Sequence, residues 1–387
     1  MERAFKFQLS PARRRRLSCQ LLEIERSSRV RGARCRSPNV LQGWLNTNSH
    51  GTDNGAFCMT WFESLTGFKE ASAEHVRANM AIDGATMTSA ANGRQMNYGR
   101  LESPRLAELR LRVQTAPRSK AALKLSEVLG DVQQLHREPA HSGALFQVAS
   151  QFNLLEMVGP SVTPEQGVGI YENDRTQGPA CAIACGAGTI YRNYFAEVNG
   201  RPGQTSDNQI DCLNDLGLAI GNTQNQLWTM RNGYALASEK GLQEISARLA
   251  AFSEAERDAL RQRLRIGIQW ESEVTLGNNP QTVSQAYCSA LPVAYTVLSD
   301  GQWASFAQLV LEAAYEATFC AAILNAELTG NKRLFLTLLG GGAFGNRDAW
   351  IFAAMERALD MYADFDLDVA IVSYRSPKPG VQELINR

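Results

Sequence analysis

The chain has 387 residues, and its 39 Lys and Arg balance its 39 Asp and Glu, so the formal charge is zero. Balance of this kind gives no general electrostatic pull toward nucleic acid or an acidic membrane, and neither is an expected partner. The eight cysteines are scattered without a CxxC pair, which argues against a metal knuckle or a disulfide framework and for a reducing, cytoplasmic setting.

The balance hides an asymmetry. Met1 to Arg36 carries eleven Lys or Arg against three Glu, including the run Arg13 to Arg16. Residues 1–85 show no sustained periodicity and read as a basic, disordered tail. Organelle targeting is the alternative reading of that start, weakened by Glu23 and Glu25. One folded domain is expected over residues 86–387.

Within it, Ser103-Pro104 opens a helix through Val113. Strand-like apolar runs follow at Leu125 to Leu129, ending in Gly130-Asp131-Val132, and at Ala144 to Ser150, ending in Gln151-Phe152-Asn153. After a polar link, Pro179 to Phe195 reads as helical. Next come a helix near Ile210 to Ile220, a hairpin around Trp228 to Ala237 and helices near Leu242 to Leu264. Arg265 to Val274 and Val283 to Tyr295 look like strands, and Trp303 to Leu328 like a long helix. That helix is interrupted by Glu312 and Glu316, so it reads as a buried amphipathic element rather than one of the roughly 18–20 apolar residues that span a bilayer. Alternating strands and helices argue for an α/β sheet covered on both faces.

The segment Arg333 to Leu359 is the most telling. An apolar run, Leu334 to Leu339, feeds the glycines 340, 341, 342 and 345, and a helical pattern begins at once. Strand, glycine loop and helix start let backbone N–H groups close around a phosphate, since glycine lacks the Cβ that would block approach. Gly340 to Gly345 also fits the dinucleotide pattern GxGxxG, but too little chain remains after it to build such a domain. No HExxH or GxSxG motif is present, so a zinc hydrolase or a serine nucleophile has no support. No metal or other cofactor is expected.

Four segments in order, Val128 to His136, Leu145 to Asn153, Thr176 to Tyr194 and Leu338 to Asn346, resemble the macrodomain family of ADP-ribose-binding domains. The resemblance implies a three-layer α-β-α fold with a mixed sheet, enlarged here by insertions. It implies that Asp131, beside Val132, accepts the adenine amino group and that Asn153 faces the distal ribose. Gln177, Gly178 and Pro179 would wrap the diphosphate and that ribose from one side. Gly340, Gly341, Gly342, Ala343, Phe344, Gly345 and Asn346 would do so from the other. ADP-ribose or an ADP-ribosylated protein is then the expected partner.

The chain departs from the family in two places. The link from Leu154 to Thr176 is long and acidic, with Glu156, Glu165, Glu172 and Asp174. Residues 196–332 form a large insertion between the two halves of the site. Cleavage at an anomeric carbon passes through an oxocarbenium-like state that a carboxylate can stabilise or serve as acid or base. Asp174 and Glu156 are the candidates by position, with Asn153 placing the sugar. Taken singly, Glu156, Glu165 and Glu172 read as solvated loop charges. Arg192 is expected to pack against the sheet, and Cys288 to be a small buried thiol. A reader that binds without cleaving, and an enzyme acting on another nucleotide, are the alternatives.

Overall fold

The computed structural model describes residues 59–119, 123–277 and 280–387. The tail expected over 1–85 lies outside them up to residue 58. Residues 59–85, expected as part of the tail, are regular structure and belong to the compact unit. Two helices, α1 (Trp61–Thr66) and α2 (Ala73–Asn79), precede a three-stranded sheet of β1 (Met80–Asp83), β2 (Thr86–Ser89) and β3 (Gln95–Asn97). A capping box at Thr60 and Glu63, and Ser72 accepting from His75 N, start the two helices. These short cues are polar and were masked by the low periodicity around them.

Next in order come β4 (Arg100–Glu102), α3 (Leu106–Val113), β5 (Lys124–Leu129), α4 (Val132–Arg137) and β6 (Leu145–Ala149). Then follow α5 (Gln177–Ala184), α6 (Gly186–Tyr194), the short pair β7 (Glu197–Val198) and β8 (Arg201–Pro202), and α7 (Asn214–Ile220). The hairpin β9 (Trp228–Arg231) and β10 (Tyr234–Ala237) leads to α8 (Glu239–Ala251) and α9 (Glu254–Arg261). The chain closes with β11 (Gly267–Glu273), β12 (Thr282–Cys288), α10 (Asp300–Thr329), β13 (Arg333–Leu336), α11 (Asp348–Met361), β14 (Asp368–Ser373) and α12 (Pro379–Ile385).

Seven strands form one mixed sheet in the order β4-β11-β12-β6-β13-β14-β5. From β12 to β5 all neighbours are parallel, and β11 and β4 run antiparallel at the other edge. Side chains of β6 show that the sheet is covered twice. Phe146 stacks on His136 of α4 at 3.8 Å, while its neighbour Gln147 donates to Thr318 of α10 at 3.0 Å. Successive strand residues point to opposite faces, so α4 and α10 lie in different layers. The α-β-α arrangement read from the sequence is therefore present.

The stretch 196–332 is not a peripheral insertion. It supplies β11 and β12 to the sheet and α10 to the core, where Phe306, Leu311, Tyr315 and Phe319 are fully buried. Helix α10 is long and apolar enough to cross a membrane, but 83% of its most apolar window is buried inside the unit. Its Glu316 is buried with Arg110 and Arg357, and the ion cluster extends to Asp258. Removing Arg110 would leave a carboxylate buried with one partner fewer, so Arg110→Met is expected to cost roughly 3–5 kcal/mol in urea denaturation.

A second core matters more for function. Phe62, Leu65, Val76, Met87 and Met96 pack against Leu155, Met157, Val168, Tyr171 and Ile190. Residues 59–98 thus lie over the acidic link and α6. Glu70 accepts from Val168 N at 2.8 Å, from Gly169 N at 2.6 Å and from the Tyr194 hydroxyl at 2.5 Å. The link is held as a rigid part of the fold.

Candidate functional site

In parallel sheets, ligands bind beyond the carboxyl ends of the strands. Here a cleft of about 210 Å³ opens past the ends of β6, β12 and β13. Its floor is Ala149-Ser150, Ala290 and Thr337 to Leu339, and its sides are the start of α5 and the glycine loop.

The glycine loop owes its shape to two residues in the left-handed region, Gly340 (φ 75°) and Gly345 (φ 72°). A Cβ on Gly340 would sit 2.4 Å from the Ala290 side chain, and one on Gly345 would sit 2.8 Å from that of Ala294. Asn346 braces the loop by donating to Leu291 O at 2.9 Å, and its amide N–H donates to Gly340 O at 2.9 Å. Gly340, Gly342, Ala343 and Phe344 line the cleft, whereas Gly341, Gly345 and Asn346 shape the loop from behind. The N–H groups of Gly342, Ala343 and Phe344 donate to nothing among the described residues.

Opposite stands the N-terminus of α5. The Gln177 side chain clamps it to β6, accepting from Ala149 N and donating to Gln147 O, both at 2.8 Å. Thr176 provides no side-chain cap, so the first N–H groups of the helix, on Gln177 and Gly178, donate to nothing among the described residues and carry its positive dipole. Pro179 has no N–H to add. Free donors thus face one another across the cleft, which is the arrangement a phosphate requires.

Gly178 has a further role. A Cβ there would lie 2.0 Å from Ala149 O and 2.3 Å from Glu156 Oε2. Only glycine lets the helix start close onto β6 with a carboxyl group tucked beneath it. Glu156 is 2% exposed, and its Oε1 has no hydrogen-bond partner. Its backbone N–H donates to the Tyr171 hydroxyl oxygen at 3.0 Å. Burial pushes its pKa up to about 8, against the opposing charge of Arg192 and with the help of Asp174. Glu156 is therefore a neutral acid at pH 7, placed in the wall of the cleft. The expectation of a solvated loop charge fails because the second core covers the link.

Asp174 also lines the cleft, half-buried, and accepts from Thr176 N at 2.9 Å. The other acidic residues of the link are structural. Glu165 accepts from Ser206 N and hydroxyl, and Glu172 from Trp61 N.

Several expected positions need correction. Asn153 is fully buried and does not reach the cleft. It donates to Gln209 at 2.9 Å and accepts from Leu155 N at 3.1 Å, bracing a turn whose Leu154 has φ 64°. Arg192 packs against the sheet as expected, buried behind the same turn and donating to Leu154 O at 3.1 Å with its guanidinium 3.7 Å from the Tyr287 ring of β12. Val132 is a core residue. Asp131 is exposed and lies outside the cleft lining; its Oδ1 caps α4 by accepting from Gln133 N at 2.8 Å and Gln134 N at 3.3 Å. Cys288 is, as expected, a buried thiol; burial pushes it up to about 12, and Thr318 Oγ1 lies 3.4 Å from its sulfur.

Four further residues line the cleft, two inside the segment Leu145 to Asn153 and two that carried no signal in the sequence. Gln151 sits in the cleft wall with its Oε1 accepting from Met157 N at 2.8 Å. Ser150, Tyr234 and Tyr295 complete the lining. The two tyrosines come from the hairpin and the segment after β12, far apart in sequence and without a motif.

No protein-family model matches the chain, and no curated protein matches it. Among solved structures, it is similar to a poly(ADP-ribose) glycohydrolase from Thermomonospora curvata, at 12% identity and TM-score 0.42, over 81% of this chain and 95% of that one. It is also similar to the enzyme from Deinococcus radiodurans in complex with ADP-ribose, at 12% identity and TM-score 0.39, over 74% and 92%. At such values no residue-by-residue correspondence follows, and the site stands on its own geometry.

Proposed function

We propose that this cleft binds ADP-ribose or an ADP-ribosyl group and that the protein hydrolyses the bond between that group and its acceptor. The observation that carries the reading is Glu156: a buried, protonated carboxyl with a free oxygen, directly under a helix start whose amides face a glycine loop. A module that only binds has no use for a buried acid that costs stability to keep, whereas glycoside cleavage needs one. The free amides of Gln177, Gly178, Gly342, Ala343 and Phe344 hold the diphosphate. Glu156 protonates the departing acceptor, and Asp174 stabilises the oxocarbenium charge and activates water. Beyond the cleft at the β5 end, Asp131 Oδ2 takes the adenine amino group.

Calorimetric titration of the full chain with ADP-ribose tests the site. Binding of micromolar strength or better is expected, and Gly342→Glu is expected to abolish it. No atom lies within 4 Å of a Cβ at Gly342, so the new side chain fits the fold and sets a negative charge where the diphosphate goes. Unchanged affinity in that variant would remove the cleft from consideration. At Asp131 the informative change is to Asn, which caps a helix as well as Asp but presents a donor as well as an acceptor. The expected result is a roughly tenfold loss of ADP-ribose affinity at unchanged Tm, read by the same titration.

A further inference from the structure

No Lys, Arg or His is among the described residues that line the cleft. Its charged or chargeable side chains are Glu156, Asp174 and two tyrosines. Read across the sheet, β5 is followed by β14, β13, β6 and β12. With adenine at the β5 end, the diphosphate lies past β13 and the anomeric carbon beside the acids that follow β6. The acceptor then lies past β12, where Tyr295 and Phe344 line the cleft.

These two half-buried rings lean on a fixed third. Tyr234 is fully buried, and its hydroxyl donates to Met157 O at 2.6 Å. Its ring centre is 5.1 Å from that of Tyr295 and 5.3 Å from that of Phe344. Tyr295 and Phe344 meet edge to face at 5.5 Å and 74°. The charge of Asp174 acts on both Tyr234 and Tyr295, and Asp174 forms no ion pair among the described residues. The acceptor end of the cleft therefore offers aromatic faces and an uncompensated carboxylate.

We propose that the acceptor on the anomeric carbon is a planar, delocalised cation, either a guanidinium or a pyridinium, held by Tyr295, Phe344 and Asp174. The inference rests on the ADP-ribosyl reading of the site. Aromatic faces attract cations through the ring quadrupole, and a planar cation can stack on them as well. A neutral O-linked acceptor gains neither the stacking nor the charge, and an ester-linked acceptor would leave as a carboxylate beside Asp174. In the reaction, water gives its hydroxyl to the anomeric carbon, and the electrons of the C–N bond leave with the nitrogen. From a guanidinium, Glu156 protonates the departing nitrogen, so that guanidinium leaves, and the remaining proton of the water returns to Glu156. From a pyridinium, the neutral ring departs and the proton goes to solvent. Nothing is oxidised or reduced.

The test uses the full chain carrying Glu156→Gln, which removes the acid that a guanidine leaving group needs, and the NAD titration is read against the nicotinamide released over its course. ADP-ribosyl-agmatine, NAD and the neutral O-methyl riboside of ADP-ribose are titrated in parallel. At least one cationic ligand is expected to bind about tenfold tighter than the O-methyl riboside, and that advantage is expected to vanish in Tyr295→Leu and in Asp174→Asn. The agmatine and NAD arms separate guanidinium from pyridinium. Equal affinity for all three ligands, or an advantage that survives both substitutions, overturns the inference while leaving the ADP-ribose site intact. Absence of binding by every ligand, ADP-ribose included, overturns the site and the inference together.

Discussion

Glu156→Gln is expected to lower the hydrolytic kcat by roughly 10²–10⁴-fold while ADP-ribose affinity changes by no more than about twofold. The amide keeps the shape of the side chain beneath Gly178 but cannot deliver a proton. In the unsubstituted protein the same proton sets the pH profile. With the carboxyl titrating at about 8, kcat is expected to fall as pH rises through that value, and the fall is expected to be absent from residual turnover in the variant. Steady-state rates between pH 5 and 10 measure both.

The same group makes an independent prediction about stability. Its pKa lies at about 8 in the folded chain against an ordinary value of 4.5. Between those values the native state holds a proton that the unfolded chain has released, so stability falls as pH rises. Below about 4.5 the penalty is absent, and above about 8 it is complete, on the order of 4 kcal/mol. Gln cannot ionise. Relative to the unsubstituted protein, Glu156→Gln is therefore expected to melt at a similar temperature at pH 5 and at a clearly higher one at pH 9. A gap of equal size at both pH values would show that the carboxyl titrates as an ordinary exposed acid, and its role as general acid would fall with it.

Gly178→Ala carries the second large effect. The added methyl would meet Ala149 O at 2.0 Å, a backbone atom in the sheet that cannot step aside, and Glu156 Oε2 at 2.3 Å. The start of α5 must move off β6, at a cost of roughly 1–3 kcal/mol from overpacking. Because the shift separates the free amides from the acid, turnover is expected to fall about 100-fold beyond what the stability loss explains. Urea denaturation and kcat measured below the unfolding range separate the two effects. Gly342→Ala is the contrasting case, since open space surrounds that position; its stability is expected to stay within about 0.5 kcal/mol. If Gly178→Ala behaves like Gly342→Ala in both measurements, the close approach of helix, strand and acid is not required.

Much of the sheet was legible. The runs that became β6, β13 and β14 are short and apolar because both of their faces are covered, β5 is an edge strand with no buried residue, and the glycine cluster after β13 marks a tight phosphate-type loop by composition alone. Helix α10 was visible because its apolar surface extends over many turns. Strands β1 to β3 were not legible: each has three or four residues, and they form a small separate sheet whose buried residues pack on α6 and the acidic link. The insertion over 196–332 was misjudged for a related reason. Strand pairing is non-local, and no feature of β12 in sequence says that it lies beside β6.

The site divides along the same line. Residue type and order alone determined that glycines 340, 342 and 345 form a loop and that Gln177-Gly178-Pro179 opens a helix, because these depend on backbone freedom and local pattern. Tertiary structure alone decided which acid matters. Glu156, Glu165 and Glu172 are chemically alike in sequence, yet Glu165 and Glu172 accept bonds near the surface while Glu156 is shut beneath Gly178. A carboxyl group becomes an acid at neutral pH by losing water. Whether it loses water depends on what the rest of the chain packs over it, and here that cover is the start of α5 at Gly178, more than twenty positions away in sequence.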